Sequence, residues 1–265
     1  MRIYKIDTDL LFHRDQGLHS VAILNIWHDK QLSLLGHPSD VDGLFHAPIY
    51  YWLMTPGYIF SAGNPAGAMI YLILLETFSL PFLFLAIKKL LNQKTAWISL
   101  VLYTTSFLMV SSSRWLVNVT PILAFTNVLI YLLTQKVTKI NSLLVGLTIG
   151  CITQFNAAIG PFLLPFVVFY CFKKNKYFLP FTFIGFLLPA IPLIIFDFRH
   201  AHLISKAIIS FFLSSQGSIS SSLVPNLRSF VSQIGSIFVP VYPILGFGLF
   251  VLGVLAIISH PRRSF

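Results

Sequence analysis

Few side chains in this sequence can do chemistry, and they fall in separate stretches. Asp15 stands in the run HRDQG at 13–17, just ahead of a segment with helical apolar spacing. A carboxylate there can cap a helix N-terminus or face a cavity. Asp7, Asp9, Asp40 and Asp42 read as solvated loop acids. Arg114 follows three serines, and Asp197, Arg199 and His200 lie in the run DFRH. Arginines at a membrane boundary can simply snorkel. Two of them with one acid can instead grip a phosphate, because a guanidinium matches phosphate oxygens in a bidentate manner. His13, His19, His28, His37 and His46 are five of the eight histidines, at spacings that fit no zinc motif such as HExxH. Glu76 lies inside an apolar run, where a carboxylate costs roughly 2 to 4 kcal/mol unless paired or protonated. It reads either as a titrating site or as a neutral acid bonded to a neighbouring helix. There is no GxxxxGK(S/T) run, so ATP-driven transport has no support.

Composition dictates what must position these groups. The 265 residues are 56% hydrophobic, 15% aromatic and only 10% charged, with a mean hydropathy of +0.80. A soluble domain carries roughly 25% charged residues, so the solvent of this chain must be largely lipid. That excludes a soluble enzyme, a secreted disulfide scaffold and a disordered regulator. The net charge of +10 comes from 18 Lys and Arg against 8 Asp and Glu. The bases sit in short clusters between apolar runs rather than in a basic domain, which excludes nucleic acid as a partner. Cys151 and Cys171 both fall inside apolar stretches and support neither a disulfide framework nor a zinc site.

The chain is therefore expected to be all-α and polytopic, with about seven membrane-embedded helices of roughly 20 residues. Its first residues, MRIYKIDTDLLFHRD, lack the apolar core of a signal peptide. Residues 1–46 read as an extramembrane loop. Apolar runs at 65–87, 95–111, 115–134, 178–196 and 238–259 read as spans, and 141–172 as a hairpin of two short helices, crossing or re-entrant. Segment 17–32, with Leu18, Val21, Ala22, Leu24 and Trp27 on its apolar side, predicts an amphipathic outer helix. Segment 45–63, aromatic and broken by Pro48, Pro56 and Gly57, predicts a second, interfacial one. The division expected is a first loop with juxtamembrane helices over 1–63 and a transmembrane domain over 64–265. The latter carries an outer loop at 197–237 with a Ser-rich tip at 214–222. Lys88, Lys89, Lys94, Lys136, Lys139, Lys173, Lys174, Lys176, Arg262 and Arg263 then share one side, cytoplasmic by the positive-inside rule. Seven of the eight acids fall on the other side, so the active face of this multi-pass cell-membrane protein is expected to be extracytoplasmic.

Seven short runs carry a family resemblance: RDQG at 14–17, LLGHPS at 34–39, FHAPIYYWL at 45–53, GNP at 63–65, SRWLVN at 113–118 followed by Pro121, GLTIGCITQ at 146–154 and FDFRH at 196–200. In this order they resemble the polyprenyl-phosphate-sugar-dependent glycosyltransferases of the GT-C fold. The similar members are bacterial relatives of the protein O-mannosyltransferases and of the lipid A aminoarabinose transferases. The resemblance covers most of the chain. It implies that Asp15 is the catalytic base and that His46, Tyr50 and Tyr51 lie in the segment shaping the donor and acceptor cavity. Arg114, Arg199, His200, Asn118 and Gln16 complete the expected contacts to the donor phosphate and sugar. Gln16 stands where the family often has Glu, and Asn156 where relatives often place His, so no role is carried to Asn156. Relatives also begin with a complete membrane helix before the acidic loop and continue through further spans, so the chain looks truncated at both ends.

The reaction expected is a single inverting displacement from a polyprenyl-phosphate-linked sugar to the hydroxyl of a protein, glycan or lipid acceptor. Membrane lipids are the other partners, no metal ligands are assigned, and a divalent ion is not indicated. The alternatives are a secondary transporter or flippase using Glu76, and a non-catalytic truncated remnant.

Overall fold

Local bonding at its first residues sets the start of the helix that carries Asp15. The computed structural model describes residues 2–8, 10, 12–39, 42–156, 163, 165, 178–213, 223–238 and 241–259. Helix α1 (Arg14–Asp29) begins where the Gln16 side chain reaches back and its Oε1 accepts the His13 N–H at 2.9 Å. This satisfies a donor that a helix start otherwise leaves open. Asp15 therefore lies inside the first turn rather than capping it, with its negative charge at the positive end of the helix dipole. The buried face of α1 is Gln16, His19, Ser20, Ile23 and Ile26. This corrects the amphipathic reading, since Leu18 and Val21 are exposed. The polar face turns inward because its hydrogen-bonding groups find partners there: Ser20 Oγ donates to Gln16 O at 2.7 Å and meets the Tyr58 hydroxyl at 2.5 Å.

Helix α2 (Ile49–Phe60) follows Pro48 and packs between α1 and α3 (Pro65–Leu90). Its Tyr50, Tyr51 and Tyr58 are buried in the core, not displayed at a headgroup boundary as the aromatic composition suggested. Gly63, at φ +84°, turns the chain into α3, where Asn64 caps the Ala66 N–H at 2.9 Å and Pro65 supplies the first helical residue. Helices α4 (Gln93–Thr105) and α5 (Phe107–Ser113) meet at Ser106 with a 58° bend, where the sequence suggested one straight span over 95–111. Thr104 and Thr105 turn their hydroxyls onto the carbonyls of Leu100 and Val101, a local bonding that weakens the helix just before the break. Helix α6 (Pro121–Leu133) is shorter than the span expected over 115–134. Residues 115–120 instead form turns, with Leu116 and Val117 buried and the Thr120 hydroxyl on Trp115 O.

Helix α7 (Lys139–Phe155) realises the first half of the 141–172 segment. Most of its second half lies outside the described residues, as do Cys171, Lys173, Lys174 and Lys176. Helix α8 (Leu179–Leu187), a 3-10 turn (Leu188–Ala190) and α9 (Ile191–Arg199) together make one apolar stretch. Helix α10 (Leu203–Leu213) then occupies part of what the sequence left as an outer loop. All named elements among the described residues are helical, and the extended pairing there is one bridge between Pro38 and Phe45. Two helical stretches, Pro65–Leu90 and Leu179–Arg199, are long and apolar enough to cross a membrane. The bent α4–α5 pair makes a third if taken as one span.

Residues 1–211 form one compact unit, so α1 and α2 belong to the same body as the long helices. Residues 212–265 form another, a hairpin of α11 (Leu223–Phe238) and α12 (Pro243–Ser259). Helix α11 is thus helical where a loop to residue 237 was expected. The Ser-rich tip at 214–222, and Arg262 and Arg263, lie outside the described residues.

In the larger unit, α7 and α8 run parallel and pack most closely at glycines. Gly146 and Gly150 form a GxxxG pair facing α8 and the following turn, and Gly185 answers from α8. Lys89 Nζ donates to Gln135 Oε1 at 3.2 Å, which puts the ends of α3 and α6 beside each other. At the opposite end of α6 and α7, Asn118 Nδ2 donates to Phe155 O at 2.6 Å. Lys88, Lys89, Lys136 and Lys139 thus lie toward the end of this unit opposite the α1–α2 segment.

Glu76, near the middle of α3 and 2% exposed, is paired. Arg2 Nη1 lies 2.7 Å from its Oε1, an ion contact rather than an aligned hydrogen bond, and the Tyr103 hydroxyl donates to the same oxygen at 3.2 Å. Asn127 Nδ2 donates to Ser79 Oγ at 2.9 Å, and Ser79 donates to Glu76 O at 2.6 Å. The network ties the amino-terminal segment, α3, α4 and α6 together. Glu76→Gln is expected to lower stability by about 3–5 kcal/mol, because it leaves a buried guanidinium without its counter-charge. Thermal melts in detergent should show that loss, and the double variant Arg2→Met, Glu76→Met should regain most of it. A Glu76→Gln protein as stable as the parent would remove the ion pair from this role.

Candidate functional site

The hydrogen-bonding ladder of the α1–α2 connection folds two histidines onto each other. Gly36 N donates to His46 O at 2.7 Å, and His46 N donates to His37 O at 3.0 Å. A side chain at 36 would put its Cβ 2.5 Å from Ala47 O, so only glycine permits this approach. The His37 and His46 rings stack at 4.0 Å and 12° as a result. Helix α1 adds His19, four residues after Asp15 and so on the same helical face, its ring 5.3 Å from that of His37. Helix α2 adds Tyr50 and Tyr51, whose rings meet His19 edge-on at 5.3 and 5.7 Å. The carbonyl end of α7 closes the assembly: Gln154 Oε1 accepts the Ala47 N–H at 2.9 Å.

These groups surround a cavity of about 470 Å³ lined by Asp15, Leu18, His19, His37, Pro38, Ser39, His46, Tyr51, Val117, Asn118 and Asn156. Asp15 is exposed at its rim, while His19 and His46 are buried. The Asn118 amide donates to Phe155 O and lies 3.0 Å from His37 Nε2. The shared amide nitrogen assigns Nε2 as the acceptor and places the ring proton of neutral His37 on Nδ1. Burial first, then the neighbouring His46 and His19, push the His37 imidazole down to about 3. Burial also lowers His19, against a smaller opposing pull from Asp15. Burial pushes the Tyr51 hydroxyl up to about 12, so it remains a donor at neutral pH. At neutral pH His19 and His37 thus present neutral imidazoles, and Tyr51 a neutral hydroxyl, to the cavity beside the Asn118 and Asn156 amides.

Of the residues selected from sequence, Asp15, His46, Tyr51 and Asn118 line this cavity. Tyr50 and Gln16 are buried behind it, Gln16 being used in the α1 cap. Arg114, Arg199 and His200 are not among the lining residues. Arg114 is half-buried at the end of α5, four residues before Asn118. Arg199 is exposed at the end of α9. His200 is held in its own turn, stacked on Phe196 at 3.8 Å with Nδ1 2.9 Å from Phe196 O. Asp197 serves the start of α10, accepting from Ile204 N at 2.7 Å, Ser205 N at 3.1 Å and Ser205 Oγ at 2.5 Å. That cap supports the left-handed backbone of Ala201 and His202, at φ 53° and 58°. The Asp197 carboxylate is thus engaged in turning the chain.

His19, His37, Ser39 and Asn156 also line the cavity, although the sequence reading gave them no role. The signal for the histidines was their density before residue 47, but sequence spacing alone could not show a stack made by a β-type bridge. No group of three or more His, Cys, Asp or Glu residues among the described residues is arranged to hold a metal ion. Two flat parallel rings do not direct their nitrogens at one point.

A pH effect follows from the lowered histidines. An opened loop regains imidazoles with a reference value of about 6.5, so it takes up protons before the closed loop does. Closure is fully favoured above that value and is lost as pH falls toward the folded His37 value of about 3. Over this interval the protection of the Gly36 and His46 amides, with exchange corrected for its intrinsic pH dependence, is expected to fall more than that of Ala68 in α3. Equal pH responses at the three amides would reject the coupling.

Compared with known proteins, the chain matches no protein-family model, no curated protein and no solved structure.

Proposed function

We propose that this chain is a multi-pass membrane glycosyltransferase, or a fragment of one. It transfers a sugar from a polyprenyl phosphate to an acceptor hydroxyl on the extracytoplasmic side. The observation that carries the reading is the meeting of Asp15, His46, Tyr51 and Asn118, far apart in sequence, around one cavity. The cavity lies at the end of α6 and α7 away from Lys89 and Gln135, which supports an outward-facing site under the positive-inside rule. The parallel course of α7 and α8 supports the topology in which 141–172 counts as two passes among about seven.

In the proposed step the Asp15 carboxylate takes the proton from the acceptor hydroxyl while that oxygen forms a bond to the anomeric carbon. The bond from that carbon to the phosphate oxygen breaks, and its electron pair leaves with the polyprenyl phosphate. A phosphate is a weak base, so its departure requires no general acid. Inversion follows because attack and departure occupy opposite faces of the carbon. Arg114, four residues before the cavity residue Asn118, would meet the departing phosphate just outside the described lining. Arg199 and His200 would meet it only beyond the described lining.

The full chain in lipid discs, supplied with a polyprenyl-phosphate hexose and an alcohol acceptor, is expected to yield a glycoside of inverted anomeric configuration. A retained configuration, or no product from any such donor, would exclude the proposed reaction for this chain.

A further inference from the structure

The cavity contains polar groups that proton removal by Asp15 does not use. His19 is 6% exposed and lines the cavity, and its Nδ1 has no hydrogen-bond partner among the described residues. The Tyr50 hydroxyl, on the ring edge-on to His19, is likewise buried and without such a partner. An unsatisfied buried polar group costs about 1–3 kcal/mol. Of the two residues, His19 lines the cavity and is the one placed to gain from a polar ligand there.

We propose that His19, together with His37 and His46, forms a hydroxyl-recognising wall that selects an uncharged sugar ring over an anionic or cationic one. Naming the occupant a sugar rests on the glycosyl-transfer reading; the preference for an uncharged polyol rests on the wall itself. Among the described residues, the lining itself holds no lysine or arginine, so a carboxylate or sulfate on a ring seated against the wall meets no cation there. The one carboxylate, Asp15, stands at the exposed rim. A buried ammonium would thus lose its water to neutral partners, an uncompensated desolvation.

A hydroxyl differs from both charged groups in that it donates and accepts. It can satisfy His19 Nδ1 in either tautomer, whereas a carboxylate only accepts and an ammonium only donates. The stacked His37 and His46 rings and the Tyr51 ring add flat surfaces suited to the apolar C–H face of a pyranose. The roughly 470 Å³ cavity falls within the usual range for small-ligand sites, about 300–1,000 Å³.

The test is saturation-transfer NMR on the full chain in discs of zwitterionic lipid at neutral pH. The probes are methyl glucopyranoside, its glucuronate analogue and its 6-amino-6-deoxy analogue at equal concentration. The neutral probe is expected to bind about tenfold more tightly than either charged one, a difference of about 1.4 kcal/mol. His19→Phe should weaken neutral-probe binding by a similar factor. His28→Phe, at an exposed ring stacked on Trp27, should not.

Equal or stronger binding of a charged analogue would overturn the proposal, as would absent neutral binding or an unaffected His19→Phe protein. If His19→Phe fails to fold, the selectivity of the parent protein decides alone. Asp15→Asn separates this claim from the reaction. Selective binding without transfer by the parent would reject the enzyme reading only, and transfer without selectivity would reject the wall only.

Discussion

Asp15→Asn is expected to reduce sugar transfer by about 10²–10⁴-fold, the range that positioned general-base groups supply. The substitution keeps size and shape but removes the group that accepts the proton. An amide oxygen is far too weak a base to take that proton. The fold should tolerate the change because α1 is anchored by Gln16, His19, Ser20, Ile23 and Ile26, whereas Asp15 points to the exposed rim. The α1 cap is supplied by Gln16 and so persists. Turnover should therefore collapse with the unfolding temperature and the neutral-probe affinity nearly unchanged. Turnover equal to the parent's would reject the base assignment. Loss of turnover accompanied by loss of probe binding would show that Asp15 shapes the cavity instead.

Gly146→Ala is expected to be the most damaging conservative change in the larger unit. Its new Cβ would stand 1.9 Å from Thr182 O and 2.8 Å from Thr182 C. The obstacle is backbone, so no side-chain rotation relieves it, and α7 and α8 must separate along their length. Overpacking in a close-packed interior costs about 1–3 kcal/mol, and a backbone clash belongs at the top of that range. Gly185→Ala should behave alike, with its Cβ 2.1 Å from Leu143 O. Gly248→Ala supplies the contrast, since a Cβ there meets nothing within 4 Å. That change should be neutral or slightly stabilising, because alanine is the better helix former. Unfolding curves in detergent for the three variants test the ranking. A Gly146→Ala protein as stable as the Gly248→Ala protein would mean that α7 and α8 are not in tight contact.

Both effects depend on proximity that composition cannot express. GLTIG at 146–150 was visible as part of a family-like run, and small residues four apart are a known aid to helix contact in membranes. Which helix they meet was not visible. In the same way, an acid inside an apolar run announced that Glu76 needs a partner, but nothing in the spacing named Arg2, 74 positions earlier, as that partner. The Asp197-Arg199-His200 run shows what local bonding adds. Its residue types fit phosphate recognition, yet local backbone donors take the carboxylate and the preceding turn takes the imidazole.

The amino-acid sequence by itself determined the helical class of this protein and the presence of helices apolar enough to cross a membrane, because those depend on repeat period and on summed hydropathy, both local quantities. The resemblance carried by its short runs also singled out Asp15, His46, Tyr51 and Asn118. Tertiary structure decided which of these groups meet, and which face of α1 turns inward. It also decided that His37 rests on His46. Those outcomes depend on hydrogen bonds and close approaches between residues distant in the chain, whose energies appear only once the backbone has brought the partners within a few ångströms.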